Sequence, residues 1–149
     1  MKQIEKLKKL RNKSGVSIAL CNKALTQSNG DLKKAEKILA QWGNEIAKTK
    51  ADRLTQEGTI AAYVHHNKKV AAMVLLQCET DFVAKNKEFQ KLAYEIAMQV
   101  AAMKPKSTKE LLKQEYIRDS KKTIELLIKE SIAKLGENII IAEFSLLAV

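Results

Sequence analysis

Thr59 divides the chain between two hydrophobic rhythms, and that change of period limits the folds open to it. Before it, apolar residues return every three or four positions, as on one face of a helix. Ile4, Leu7 and Leu10 mark a first helix, which Ser14-Gly15 breaks. Ser17 can cap a second, with Ile18, Cys21 and Leu25 on its inner face, and Asn29-Gly30 turns the chain. Asp31 caps a third carrying Leu32, Ala35, Ile38, Leu39 and Trp42, with Gly43 as its stop. Trp42 is expected to supply much of the small core that these helices can bury.

From Thr59 onward, Ile60, Ala62 and Val64 alternate with Ala61, Tyr63 and His65, the period of a strand. His66-Asn67-Lys68-Lys69 is a polar turn, and Val70 to Cys78 is an almost continuous apolar run, suited to a buried antiparallel partner strand. Phe89, Leu92, Ala93, Ile96, Val100 and Met103 then trace a helical stripe that ends before Pro105. Ser107 and Glu110 form a capping box, and Ser120 can start another helix with Ile124, Leu127, Ile128 and Leu135 inside. Gly136 lies just past its end. Asn138 to Leu147 returns to strand patterning with Ile140, Ala142, Phe144 and Leu146 on one face, and the hairpin is the only sheet it can join. The expected class is α+β. A three-helix module covers 1–45 and a charged, partly helical linker covers 46–58. The core, 59–149, is a three-stranded antiparallel sheet covered on one face by helices.

Composition narrows the function classes. No apolar run reaches the roughly 18 residues that span a bilayer, so no membrane partner is expected. Met1 to Lys13 is too charged for a secretory signal, and Cys21 and Cys78 follow no metal-ligand spacing, which points to reduced thiols and a cytoplasmic location. The net charge of +10 attracts acidic proteins, nucleic acids and anionic surfaces alike. A basic nucleic-acid-binding protein is therefore the alternative, although only 5% of residues are aromatic and no RNP- or KH-type motif is present.

The parts of an enzyme are missing. His65 and Cys78 fall at opposite ends of the hairpin, roughly 25 Å apart along the ladder. His65 and His66 point to opposite faces of a strand, and no carboxylate cluster supports them as metal ligands. No GxxxxGK[ST] or GxGxxG loop is present, so direct nucleotide binding is not expected. The reading is of a non-enzyme with no catalytic residue, no metal and no cofactor.

Between strand and helix lies Thr80-Asp81-Phe82-Val83-Ala84-Lys85-Asn86. Residue types leave two readings open. One is a capped turn, with Asn86 as N-cap, Glu88 in the first turn and Phe82 in the core. The other is a binding loop on a rigid scaffold.

Three segments in order, Leu10-Arg11 to Asn29-Gly30-Asp31, Cys78 to Asn86 and Leu135 to Ile139, together resemble the elongation factor Ts family of translation exchange factors. Leu10-Arg11 through Ser14-Gly15, Cys21-Asn22-Lys23-Ala24-Leu25 and Asn29-Gly30-Asp31 resemble its ubiquitin-associated-like amino-terminal module. Cys78-Glu79-Thr80-Asp81-Phe82-Val83-Ala84-Lys85-Asn86 resembles its core signature. Leu135-Gly136-Glu137-Asn138-Ile139 resembles a helix-to-strand junction near the core's end. The resemblance implies a guanine-nucleotide exchange factor whose partner is elongation factor Tu. It also implies a short form with a single core unit, lacking the second core half and coiled-coil insertion of long bacterial members. In the implied mechanism Phe82 is an apolar wedge and Asp81 a charge that disturbs the partner's magnesium site. Thr80, Val83 and Lys85 position the loop, and Arg11, Ile18 and Ala19 dock the module. One departure bears on docking. Where the family has a small-residue loop, two methionines and an aspartate, this chain has Gly15-Val16-Ser17-Ile18-Ala19-Leu20. A homodimer is also expected, because the long apolar carboxy-terminal strand can expose a sheet edge. An adaptor for ubiquitin-like folds, using Met1 to Gly43 alone, leaves the loop and core without a role.

Overall fold

A computed structural model describes all residues, 1–149. Three helices come first: α1 (Gln3–Ser14), α2 (Ile18–Gln27) and α3 (Leu32–Lys50). Their ends are written in the sequence. Gly15 closes α1 in the left-handed conformation at φ 67°, Ser17 Oγ accepts from Leu20 N, and Asp31 accepts from Lys34 N. Leu10, Cys21, Ala24, Leu25, Ala35 and Leu39 form a small buried cluster. Trp42 is only partly buried at its margin, with Lys23 Nζ 5.3 Å from the ring centroid, so Leu10 and Leu25 fill this core instead.

Gly43 does not stop α3. The helix continues to Lys50, and the glycine lies buried where α3 crosses α7 (Ile124–Leu135), with Ala133 Cβ in ordinary contact with the space a Cβ would take. A stop signal was overridden by packing: Gly43 has ordinary helical backbone, a Cβ would fit there, and burial against α7 carries the helix through. Ala47, further along α3, belongs to the second and larger core. One helix thus serves both clusters.

The antiparallel sheet has the order β1 (Glu57–Val64), β2 (Val70–Cys78), β5 (Ile140–Ala148), with β2 central. Its inner face, from Ala72, Val74, Leu76, Cys78 and Ile141, meets the buried stripe of α5 (Lys87–Met103). Its outer face carries Ile60, Val64, Met73 and Leu147, all more than half exposed. The expected single face of β5 is split. A register shift opposite Leu75/Leu76 turns Ile141 inward before it and leaves Phe144 and Leu146 inward after it, while Ile140 and Ala142 are exposed. A bulge adds one residue and so breaks a period of two.

Past α6 (Thr108–Lys113), a small ribbon of β3 (Glu115–Tyr116) and β4 (Asp119–Thr123) occupies sequence read as the start of a helix. Thr123, not Ser120, caps α7. The ribbon is held on α5 by buried polar groups. Glu95 accepts from Tyr116 Oη at 2.8 Å and from Arg118 Nε at 2.6 Å. Gln99 donates to Glu115 O and accepts from Ile117 N, both at 3.0 Å. No helix is long and apolar enough to cross a membrane.

Candidate functional site

The loop after β2 folds into a single helical turn, α4 (Asp81–Ala84). Thr80 precedes it in an extended conformation, and its hydroxyl accepts from Val83 N at 3.4 Å. Every polar group of Thr80 is engaged. Its amide donates to Glu137 Oε1 at 2.9 Å, its hydroxyl donates to Glu137 Oε2 at 2.6 Å, and its carbonyl accepts from Cys78 Sγ and from Ala84 N. Val83 and Ala84 lie on the buried side of the turn. Asn86 then caps α5 by accepting from Glu88 N, as expected.

With Val83 anchored, the turn directs its neighbour outward. Phe82 is 84% exposed, which excludes the reading that tucks it into the core. An uncompensated aromatic ring on a fixed turn is an anchor of the kind interfaces use. Asp81 is exposed and pairs with Lys85 at 3.4 Å one turn on. Such an exposed pair is worth only about 0.3–0.5 kcal/mol, so a partner can break it at little cost. Val83 faces the core and can hold the turn but offers a partner no surface. The second group, Arg11, Ile18 and Ala19, lies on the end of α1 and the start of α2, all exposed. The structure thus gathers Thr80, Asp81, Phe82, Val83 and Lys85 on one turn and sets Arg11, Ile18 and Ala19 on the helical module. Ile18 faces solvent and not the module core.

Two groups remain neutral to high pH, Cys78 beneath the turn and Tyr116 on the ribbon held by α5. Burial, reinforced by the negative charge of Glu137, pushes the Cys78 thiol up to about 11 from its ordinary 9.0. Burial and the hydrogen bond to Glu95 push the Tyr116 phenol up to about 12 from 10.0. Both values are raised by folding, so both groups stabilise the fold fully below the unfolded values and lose that contribution as pH rises through the folded ones. Stability is therefore expected to decline between about pH 9 and about pH 12, read as a falling urea midpoint. A midpoint unchanged from about pH 8 to about pH 11 would contradict it. No group of three or more His, Cys, Asp or Glu side chains converges in a way that could hold a metal ion.

The profile of the family described as elongation factor TS matches residues 79–149, beginning at Glu79 under this turn. Over the longer span, the chain is 37% identical to elongation factor Ts of Thermosipho melanesiensis, covering 93% of this chain and 93% of that protein. This chain belongs to the elongation factor Ts family. It is likewise 38% identical to elongation factor Ts of Thermotoga maritima, over 93% of this chain and 92% of that protein. Against elongation factor Ts of Aquifex aeolicus the identity is 43% over 95% of this chain, but only 50% of that protein is covered. Membership makes the chain a translation elongation factor of the elongation factor Ts type and accounts for the signature, module and junction appearing in one order. The residues that sequence reasoning missed are Arg53 and the carboxylate Glu137. Glu137 lay within the quoted junction, yet its pairing with Thr80 crosses 57 positions and no local period reports it.

Proposed function

We propose that this chain is a guanine-nucleotide exchange factor that binds elongation factor Tu·GDP and speeds GDP release. The observation that carries the reading is Phe82, 84% exposed on a turn whose Val83 and Ala84 are buried and whose Thr80 is bound to Glu137. Exchange makes and breaks no covalent bond, so no catalytic residue is needed. The factor must bind the nucleotide-free partner better than the GDP-bound form, since equal affinity for both shifts nothing. By linkage, the factor gained for the empty state is the factor by which GDP is weakened. Phe82 enters between helices of the partner's GTP-binding domain as an apolar wedge. Asp81, released from Lys85, brings a negative charge toward the magnesium and phosphate site. Arg11, Ile18 and Ala19 dock the helical module on a neighbouring helix. The chain itself holds neither nucleotide nor metal in this mechanism.

The test is direct: elongation factor Tu loaded with fluorescent GDP is mixed with this protein, and the fluorescence is followed. Release that accelerates with the concentration of this chain and levels off at saturation is expected. Release at the spontaneous rate would end the proposal.

A homodimer goes with this reading. The outer sheet face bears Ile60, Val64, Met73 and Leu147 with no element over it, and β5 forms one edge. A contiguous apolar face of that kind is uncommon on a monomer, and a two-fold arrangement lets the same patch cover itself. Sedimentation at micromolar concentration is expected to give twice the 16.7 kDa chain mass, with Met73→Glu sedimenting as a single chain. A wild-type monomer at that concentration would remove the dimer.

A further inference from the structure

Three segments remote in sequence are tied together beneath α4. Glu137 Oε1 accepts from the amides of both Glu79, at 3.1 Å, and Thr80, at 2.9 Å, while Oε2 takes the Thr80 hydroxyl. The arrangement is reciprocal, since Glu79 Oε1 accepts from Asn138 N at 2.8 Å. Asn138, buried, donates through Nδ2 to the carbonyls of Ala51 and Arg53, and Arg53 pairs with Glu79 at 3.6 Å. Lys50, the last residue of α3, donates to Gly136 O at 2.7 Å.

A helical turn of four residues has no stability of its own, because nucleating a helix fixes several dihedrals for one hydrogen bond. Something outside the turn must hold α4 in place. The Glu137 side chain does so by reach, accepting from the two amides leading into the turn and from the hydroxyl that caps it. We infer that Glu137 is a positioning residue for nucleotide exchange: by clamping Glu79 and Thr80 it presets the turn that presents Phe82, so that little ordering remains when, with the helical module already docked, Phe82 enters the partner. The inference rests on the exchange reading above and gives the junction segment a part in the same site. Presetting matters because order imposed before binding need not be imposed during it.

Charge and reach can be separated. Glu137→Asp keeps the charge and shortens the arm by one methylene, so it cannot span both amides and the hydroxyl. Glu137→Gln gives up the charge and keeps the arm; its carbonyl oxygen can accept both amides and its NH2 can donate to the Thr80 oxygen. With elongation factor Tu·GDP, E137D is expected to lower the saturating release rate about tenfold, the factor that ordering one backbone residue represents. The concentration giving half-maximal stimulation is expected to shift less than about twofold, because the docking module is untouched. E137Q is expected to stay within about twofold of wild type in both.

A partner-free readout accompanies this. In the protein alone, amide hydrogen exchange at Glu79, Thr80, Ala84 and Lys85, whose N–H groups are bonded to Glu137 or within the turn, is expected to accelerate in E137D but not in E137Q, with β2 unchanged. If E137D does not fold, Thr80→Val removes the hydroxyl side of the clamp together with the cap on Val83, and acceleration at the Glu79 amide, which Glu137 holds and the cap does not reach, is the expected result. Wild-type protection and wild-type release in E137D, or equal loss in E137D and E137Q, would overturn the positioning role. A wild-type protein that leaves GDP release unchanged would instead sink the exchange reading, while the hydrogen-exchange comparison still reports on the clamp.

Discussion

Phe82→Ala is expected to slow partner-stimulated GDP release at least tenfold while leaving thermal stability where it was. The ring is 84% exposed, so the change belongs with surface substitutions, which fall within about 0.5 kcal/mol of neutral. In the docked complex the same ring is taken from water. Burying a phenylalanine contributes about 1.5–3 kcal/mol, and that difference corresponds to one to two powers of ten in the release rate. A stopped-flow record with fluorescent GDP measures the rate, and a melting curve on the same sample measures the fold. Unchanged acceleration would take Phe82 out of the mechanism. A melting point well below wild type would show that the ring is needed by the fold and not by a partner.

The opposite pairing is expected at Phe89. This residue is fully buried in α5 and packs within the main core with Val74, Leu76 and Ile96. Removing a buried phenylalanine loses its transfer free energy and leaves a cavity, together about 3–5 kcal/mol. Domains of this kind have total stabilities of about 5–15 kcal/mol, so Phe89→Ala should sit near the edge of unfolding at moderate temperature. Urea denaturation reads the loss as a lower midpoint with an unchanged slope. A cost below about 1 kcal/mol would mean that neighbours collapse into the space and that the core is looser than its burial indicates. Under conditions where the variant is folded, its saturating release rate should match wild type, because the tip is intact. Two phenylalanines in the same short stretch thus separate a contact made with another molecule from one made within the chain.

Much of this was legible in the residues, for definable reasons. Caps are local, so Ser17, Asp31 and Asn86 could be assigned from neighbours alone, and the structure places each where expected. The alternation in Ile60 to His65 and the apolar run to Cys78 gave the hairpin. What failed was decided by tertiary packing. Gly43 reads as a stop until α7 is there to press against it, and Ser120 reads as a cap until Glu95 and Gln99 hold a ribbon in its place. The bulge in β5 hid which isoleucines face inward. At the candidate site the exposed Asp81–Phe82 pair could be named from its motif, whereas Glu137 could not. A clamp between residues this far apart exists only once the strands are in register.

The unbroken α3 has a consequence for how the two exposed patches relate. A helix adds about 1.5 Å and 100° for each residue, so its length sets both a span and an angle. Because Ala35 and Leu39 are embedded in one cluster and Ala47 in the other, neither end can turn to compensate. The number of residues between them therefore acts as a gauge. It fixes the bearing from which Arg11, Ile18 and Ala19 are offered relative to Phe82, and a single inserted residue would swing that bearing by more than a quarter of a circle.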